Sequence, residues 1–380
     1  MDFEFTEEQQ SLREAVARWV DRGFPFERRL AMARAGGFSR EVYGELAGLG
    51  LAALTVPEAH GGLGWGAVEA MVAMEELGRG LVHAPLAEAA LMTPALLATA
   101  APGLQARWFP KVADASAVVV PALQERPARY RLNHVITRAT PAGQGFTLRG
   151  LKCVVPAGDE ADAFIVPARA AGWAGAEDDM AGIGLYLVEA AAANLKVLGH
   201  PTQDGARAAE LHLEDTPALR LTDDGGAALE MAADIGIAAH AAEAVGLMER
   251  LLALTVDYLN TRRQFGVPIA SFQALRHRVA DVKMALELGR SMSYYATLRL
   301  RDAPAVRRRA VSQAKVQLGR SMRQVGQECI QLHGGIGVTD EYIASHVFKR
   351  LTMLEMAWGD TMHHLGEVSA RMQDSAGVFV

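Results

Sequence analysis

The chain has 380 residues, half of them hydrophobic and 22% charged, an ordinary globular balance with room for two or three domains. A formal charge of −6 argues against nucleic acid or an anionic membrane as the main partner. The longest apolar run, Leu49–Val56, is too short to cross a bilayer, the acidic opening Met1–Glu8 lacks a signal-peptide pattern, and Cys153 and Cys329 lack metal-ligand spacing, so a cytoplasmic protein with buried thiols and no metal is expected.

Thr6-Glu7-Glu8-Gln9 is a capping box, and Leu12, Val16, Trp19 and Val20 then recur at helical spacing. A second helix is expected through Glu41–Leu49, then a glycine-rich loop over Leu51–Gly64, then a helix over Val68–Arg79 and an Ala-rich helical pair reaching Lys111. Gly62–Ala67 superficially fits a dinucleotide fingerprint. That fingerprint needs a preceding strand and an acid about 20 positions on at a strand end. Glu88 stands near that distance on a helical pattern instead, so the glycines read as a turn.

From Ser116 the texture changes to short β-rich runs: Ala117–Pro121, Tyr130–Ile136, Gly145–Val155, Ala163–Pro167, Gly184–Glu189 and Ala206–Leu213. Leu211–Glu214 alternates with period two, as a half-buried strand should. Proline and glycine between the runs indicate a small antiparallel domain.

After Thr222–Gly226 the pattern is helical to the end. Ala238, Ala239, Ala242 and Gly246 are small enough for very close helix packing. The long helix runs into Asp257–Gln273, where Phe265-Gly266 and Pro268 force the chain out of helix and Ser271 is placed to cap the next one. This elbow carries Arg262 and Arg263, whose fork geometry suits phosphate. Val311, Ala314, Leu318, Met322, Val325, Cys329 and Leu332 step along one helix face as a core stripe, and Arg307-Arg308-Arg309 reads as a solvated face. That helix ends in Gln331–Val338, a glycine cluster where backbone can approach a ligand closely. Each motif alone is equally well read as surface charge or as a helix C-cap. Together they suggest a large phosphate-bearing cofactor.

Tyr258–Gln273 followed by Gln331–Tyr342 resembles the C-terminal motif pair of the acyl-CoA dehydrogenases, and the resemblance extends along the chain through Glu75–Arg79 and Leu148–Asp162. It implies a mainly α fold with a central β-domain: an N-terminal helical domain (1–114), an antiparallel β-domain (115–221) and a C-terminal four-helix bundle (222–380). It also implies FAD, with Arg262, Gln264, Phe265, Phe272, Gln273, Gln331, Leu332, Gly334, Gly335, Asp360 and Thr361 at cofactor-binding positions, some reaching the flavin of a neighbouring subunit. Asp234 falls at a substrate-binding position. Partners implied are an acyl-CoA, an electron-transfer flavoprotein-type acceptor and other subunits in a homo- or hetero-oligomer, such as a dimer of dimers.

Two departures matter. The usual middle-domain loop of Thr-Glu-Pro and a Gly-Ser-Asp run is replaced by Leu123–Arg129, without glycine. The base is also missing. In most members it is the Glu of a Tyr-Glu-Gly-Thr tetrapeptide, and that slot holds Trp358; in a minority it lies on the earlier helix, where the slot holds Gly236. Asp360 is the nearest acid to the first and the candidate catalytic residue. Asp234, Glu243 and Glu355 read as helix-surface charges. The Ala357–Thr361 ending resembles smaller subunits of dehydrogenases acting on dicarboxylyl-CoA or steroid side-chain CoA thioesters. An FAD-dependent dehydrogenase or a subunit of one is therefore expected; a non-catalytic assembly subunit and a same-fold oxidase or monooxygenase are the alternatives.

Overall fold

The computed structural model describes residues 4–176 and 179–372. Helices α1 (Glu7–Gly23), α3 (Arg40–Gly48) and α4 (Ala67–Arg79) follow the sequence patterns, whereas α2 (Phe26–Arg34) was not expected; a short helix pair, Ala87–Met92 in π geometry and α5 (Thr93–Leu97), and then α6 (Pro102–Ala113) complete this part. The α1 capping box forms as expected, Thr6 accepting from Gln9 N and Gln9 reaching back to the Thr6 backbone. Gly62–Gly64 does not open a nucleotide fold. It belongs to a turn in which the amides of Gly62, Leu63 and Gly64 bond back onto the Pro57, Ala53 and Val56 carbonyls, with short 3-10 turns before it in place of a strand.

Among the described residues seven strands follow: β1 (Val119–Pro121), β2 (Arg138–Ala142), β3 (Gly145–Pro156), β4 (Ala163–Ala170), β5 (Ile183–Glu189), β6 (Leu195–Pro201) and β7 (Arg207–Thr222). Pairings run β4-β2-β3-β7-β5 and return from β5 to β4, so these five strands close on themselves, leaving few open edges. The sheet is mixed rather than purely antiparallel, because β1 and β2 both run parallel to β4. The long connection from Pro121 to Arg138 joins β1 to β2, and the residues between β2 and β4, which include β3, give the chain room to return parallel.

That connection also corrects the expected strand over Tyr130–Ile136. Glu125 is buried there and accepts from Ile136 N, Thr137 N, Thr137 Oγ1 and, at 2.7 Å, Lys152 Nζ on β3. A side chain thus satisfies the donors a strand partner would have taken, and pairing starts only at Arg138. Lys152 and Glu125 are both almost fully buried, and the attraction of Lys152 with these hydrogen bonds holds the Glu125 carboxyl below its usual range against the opposing effect of burial.

The C-terminal part consists of α7 (Gly226–Thr261), a two-stranded hairpin of β8 (Arg263–Gln264) and β9 (Val267–Pro268), α8 (Gln273–Arg299), α9 (Pro304–His333), α10 (Ile343–Met356) and α11 (Thr361–Ala370). α7 is long and apolar enough to cross a membrane by length and composition, longer than the apolar run noted in the sequence, but 89% of its most apolar window is buried inside the protein. All seven residues of the α9 stripe are buried as expected. Ser271 does not cap α8. Its hydroxyl donates to Pro268 O inside a tight turn, and Phe272 takes the cap position without a side-chain bond. Arg307 is buried rather than solvated, since its position faces inward in the same register as Val311 and Ala314.

Compactness divides the chain differently from chain order. Among the described residues, one unit gathers 4–30, Ala67–Val82 and 237–372; the other holds Ala31–Gly66 and those of His83–Gly236. Within the first, α7 and α4 approach at two glycines. A Cβ on Gly246 would lie 1.9 Å from Glu75 O, and one on Gly78 would lie 2.1 Å from Glu243 O. Glu75, on the same helix, is ion-paired to Arg13 of α1 and Arg290 of α8.

Candidate functional site

At the end of α7 the chain turns through Phe265 and Gly266, with φ of 54° and 82°, while Arg263 pairs with Pro268 and Gln264 with Val267. Two left-handed residues between two paired ones make a tight hairpin turn. Phe265 adopts the left-handed conformation as well as Gly266. Its ring is 90% exposed. An aromatic residue held in a disfavoured conformation and offered to solvent is the kind of local strain that marks functional positions. Arg262, Gln264, Phe272 and Gln273 are exposed around it, and the Arg262 side chain makes no ion pair among the described residues. Arg263 donates to Gly266 O and braces the turn.

The second motif lies in the same unit. α9 ends at His333, and Gly334 takes φ 65° and ψ −141°, a conformation open essentially to glycine. Gly335 is different: its φ is not left-handed, and a Cβ there would meet nothing within 4 Å. Gln331 and both glycines are exposed, whereas the Leu332 side chain is buried in the bundle core, so only its main chain is available to a ligand. His333 ties the two motifs together, a role the sequence reading missed. It is buried, shares a hydrogen bond through Nδ1 with Cys329 O at 2.8 Å and through Nε2 with Tyr342 Oη at 3.2 Å, and packs 4.8 Å from the Tyr258 ring. Tyr258 stands one helical turn before Arg262, so the histidine fixes the glycine turn against the arginine elbow.

The two base positions hold no carboxylate. Gly236 faces Met92, whose sulfur would lie 2.7 Å from an added Cβ. Asp234 is fully buried and not on the helix surface. Glu243 is no surface charge either. It is buried and receives both Arg350 Nε and Nη2, at 2.6 and 2.9 Å, a bidentate pair between α7 and α10. Glu355 accepts from Thr361 N and Oγ1, at 3.1 and 2.7 Å, which ties the Thr361 hydroxyl to its own chain. Asp360 is the N-cap of α11, accepting from His363 N at 2.8 Å.

Trp358 sits in the turn between α10 and α11 with φ 59°. Lys315, buried on α9, donates to Leu354 O at 2.5 Å and Ala357 O at 2.8 Å, so a cation meets the unpaired carbonyls at the end of α10. His364 donates Nε2–H to Trp358 O at 3.0 Å and accepts from Ser312 Oγ at 3.2 Å, the tautomer this network requires. Burial pulls the Lys315 ammonium down to about 7, opposed by Glu355 and Asp360. Burial, then Lys315, pulls His364 down to about 3, with His363 and Arg308 acting in the same direction and the Trp358 carbonyl against it.

An acid dependence follows from His364. Its folded pKa lies below the unfolded value near 6.5, so its stabilising contribution is complete above that pH and is lost as pH falls toward 3. Stability should decline by up to about 1.4 kcal/mol per pH unit from this group over the window. Urea melts from pH 7 to pH 4 on wild type and His364→Asn should show a shallower decline in the variant; parallel declines would remove His364 from the account.

In the β-sheet unit, the Leu148–Asp162 motif includes the second half of β3. Val154 has φ 51°, lies between the shifted pairings of Lys152 and Val155, and is 49% exposed. A β-branched residue in this conformation is a local outlier with an exposed side chain.

Residues 6–116 match the family model "Acyl-CoA dehydrogenase, N-terminal domain" and residues 223–373 match "Acyl-CoA dehydrogenase, C-terminal domain". The chain is 33% identical over 346 residues to acyl-CoA dehydrogenase IpdE2 of Mycobacterium tuberculosis, covering 90% of this chain and 91% of that one. Among solved structures it is similar to one described as a variant of the Tcur3481–Tcur3483 steroid ACAD, with TM-score 0.87, 29% identity and coverage of 98% and 99%. It is also similar to a chain of the ChsE4–ChsE5 complex from Mycobacterium tuberculosis, with TM-score 0.88, 26% identity and coverage of 99% and 100%.

Proposed function

The chain belongs to the acyl-CoA dehydrogenase family, and on that premise we propose that it is an FAD-binding subunit of a hetero-oligomeric acyl-CoA dehydrogenase whose related partner chain supplies the base. One observation carries the reading. The cofactor motifs are present and exposed, while neither base position holds a carboxylate and the neighbouring acids Asp360, Glu243 and Glu355 are bonded within the chain. Trp358 stands at the first base slot, and Met92 fills the room beside Gly236 at the second.

Arg262 is placed to hold the pyrophosphate of FAD, with Gln264, Phe265, Phe272 and Gln273 around it and Gln331, Gly334 and Gly335 offering backbone at close range. The open space beside Gly335 and the exposed Arg262 fit such a ligand. FAD, when bound, supplies the acceptor for the β-hydride of an acyl-CoA. This chain orients that cofactor, and the partner removes the α-proton. Electrons then pass to an electron-transfer flavoprotein-type acceptor. The neighbour named as the ChsE4–ChsE5 complex supports a two-chain assembly.

The cofactor arm is tested by substitution. Arg262→Glu should lower FAD occupancy and loosen the assembly together, because an anion replaces a cation beside phosphate at a cost of several kcal/mol. Gly335→Ala should leave the melting temperature of the flavin-free protein nearly unchanged, since its methyl meets nothing in this chain, yet weaken FAD binding. Wild-type flavin content and gel-filtration size in Arg262→Glu, or wild-type FAD affinity in Gly335→Ala, would count against the assignment.

A further inference from the structure

Trp358 occupies its place against two local preferences. Its backbone is left-handed at φ 59°, which bulky side chains rarely adopt. Its indole N–H is buried without an acceptor among the described residues, and an unmade buried hydrogen bond disfavours the conformation containing it. The backbone around it is nevertheless tied on both sides. Lys315 holds the Ala357 carbonyl and His364 holds the Trp358 carbonyl. Gly359, at φ 112°, lies so close to His363 and His364 that an added Cβ would come within 2.6 and 2.7 Å of them. The main chain is fixed while the indole N–H makes no polar bond among the described residues.

We propose that Trp358 is a latched plug, held by Lys315 and His364 in the space an acyl thioester would need, and that this plug decides whether the chain binds that ligand class. The proposal rests on the reading of this chain as a subunit without a base, and adds the device that keeps its own site shut. Lys315 and His364 are positioning residues acting through the tryptophan. Release costs the two carbonyl bonds, and hydration of the indole N–H offsets part of that cost.

The test uses the flavin-loaded single chain, with octanoyl-CoA and coenzyme A alone as the two probes in calorimetry. Trp358→Gly, which accepts φ 59° without strain, should bind octanoyl-CoA at least tenfold more tightly than wild type, with coenzyme A alone unchanged. Lys315→Met leaves the indole in place but removes one tie. Its Trp358 indole proton should exchange with solvent at least tenfold faster than in wild type, relative to the other four tryptophans. Equal octanoyl-CoA affinity in folded wild type and Trp358→Gly would overturn the plug, whatever becomes of Lys315→Met. If that chain also failed to bleach its flavin, only the plug would fall and the reading as a base-less subunit would stand.

Discussion

Gly246→Ala is expected to destabilise the protein by about 3 kcal/mol or more, at the upper end of what overpacking costs. Helix propensity alone predicts the opposite, since alanine gains about 1 kcal/mol over glycine within a helix. Contact geometry decides the sign. The new Cβ would lie 1.9 Å from Glu75 O and 2.7 Å from Arg79 N, both backbone atoms of α4 that no rotamer change can move aside. Separating α4 from α7 would also strain the Arg13–Glu75–Arg290 ion pairs and the contact of Gly78 with Glu243 O. Gly78→Ala should behave alike from the other side of the crossing. Urea melts read both, and a loss below about 1 kcal/mol in either would show that the helices part more easily than this packing allows.

The small-residue run Ala238–Gly246 announced this close approach in the sequence, but the partner helix was not legible there, because helical periodicity identifies a face and not what covers it. The same limit explains Glu243. As an acid on a long helix it read as surface charge, and only the fold brings Arg350, 107 residues away, to it. The α9 stripe and the Thr6 capping box were legible because local spacing alone determines them. Strand β2 was not, since the Glu125 side chain takes the donors of Ile136 and Thr137 and shifts the start of pairing. At the candidate site, the two motifs and the lack of a carboxylate at both base positions could be read from the chain. What holds them could not: His333 between the motifs, and Lys315 with His364 around Trp358, are buried polar residues that each bond to a residue outside their own helix.

The largest effect on activity should come from the partner. The purified chain, loaded with FAD and mixed anaerobically with a panel of acyl-CoAs, is expected to leave its flavin oxidised, because proton abstraction needs a desolvated carboxylate and both usual positions lack one. Co-expressed with a relative that carries the glutamate, the assembly should bleach with a saturated acyl-CoA. Removing a general base costs on the order of 10²- to 10⁴-fold or more in rate, so the two preparations should differ without ambiguity. The opposing account has Asp360 leave its cap on α11 and act as the base in a homo-oligomer. Anaerobic mixing of the single chain separates the two accounts: an unchanged flavin spectrum is the predicted result, and bleaching abolished by Asp360→Asn with FAD still bound would contradict it.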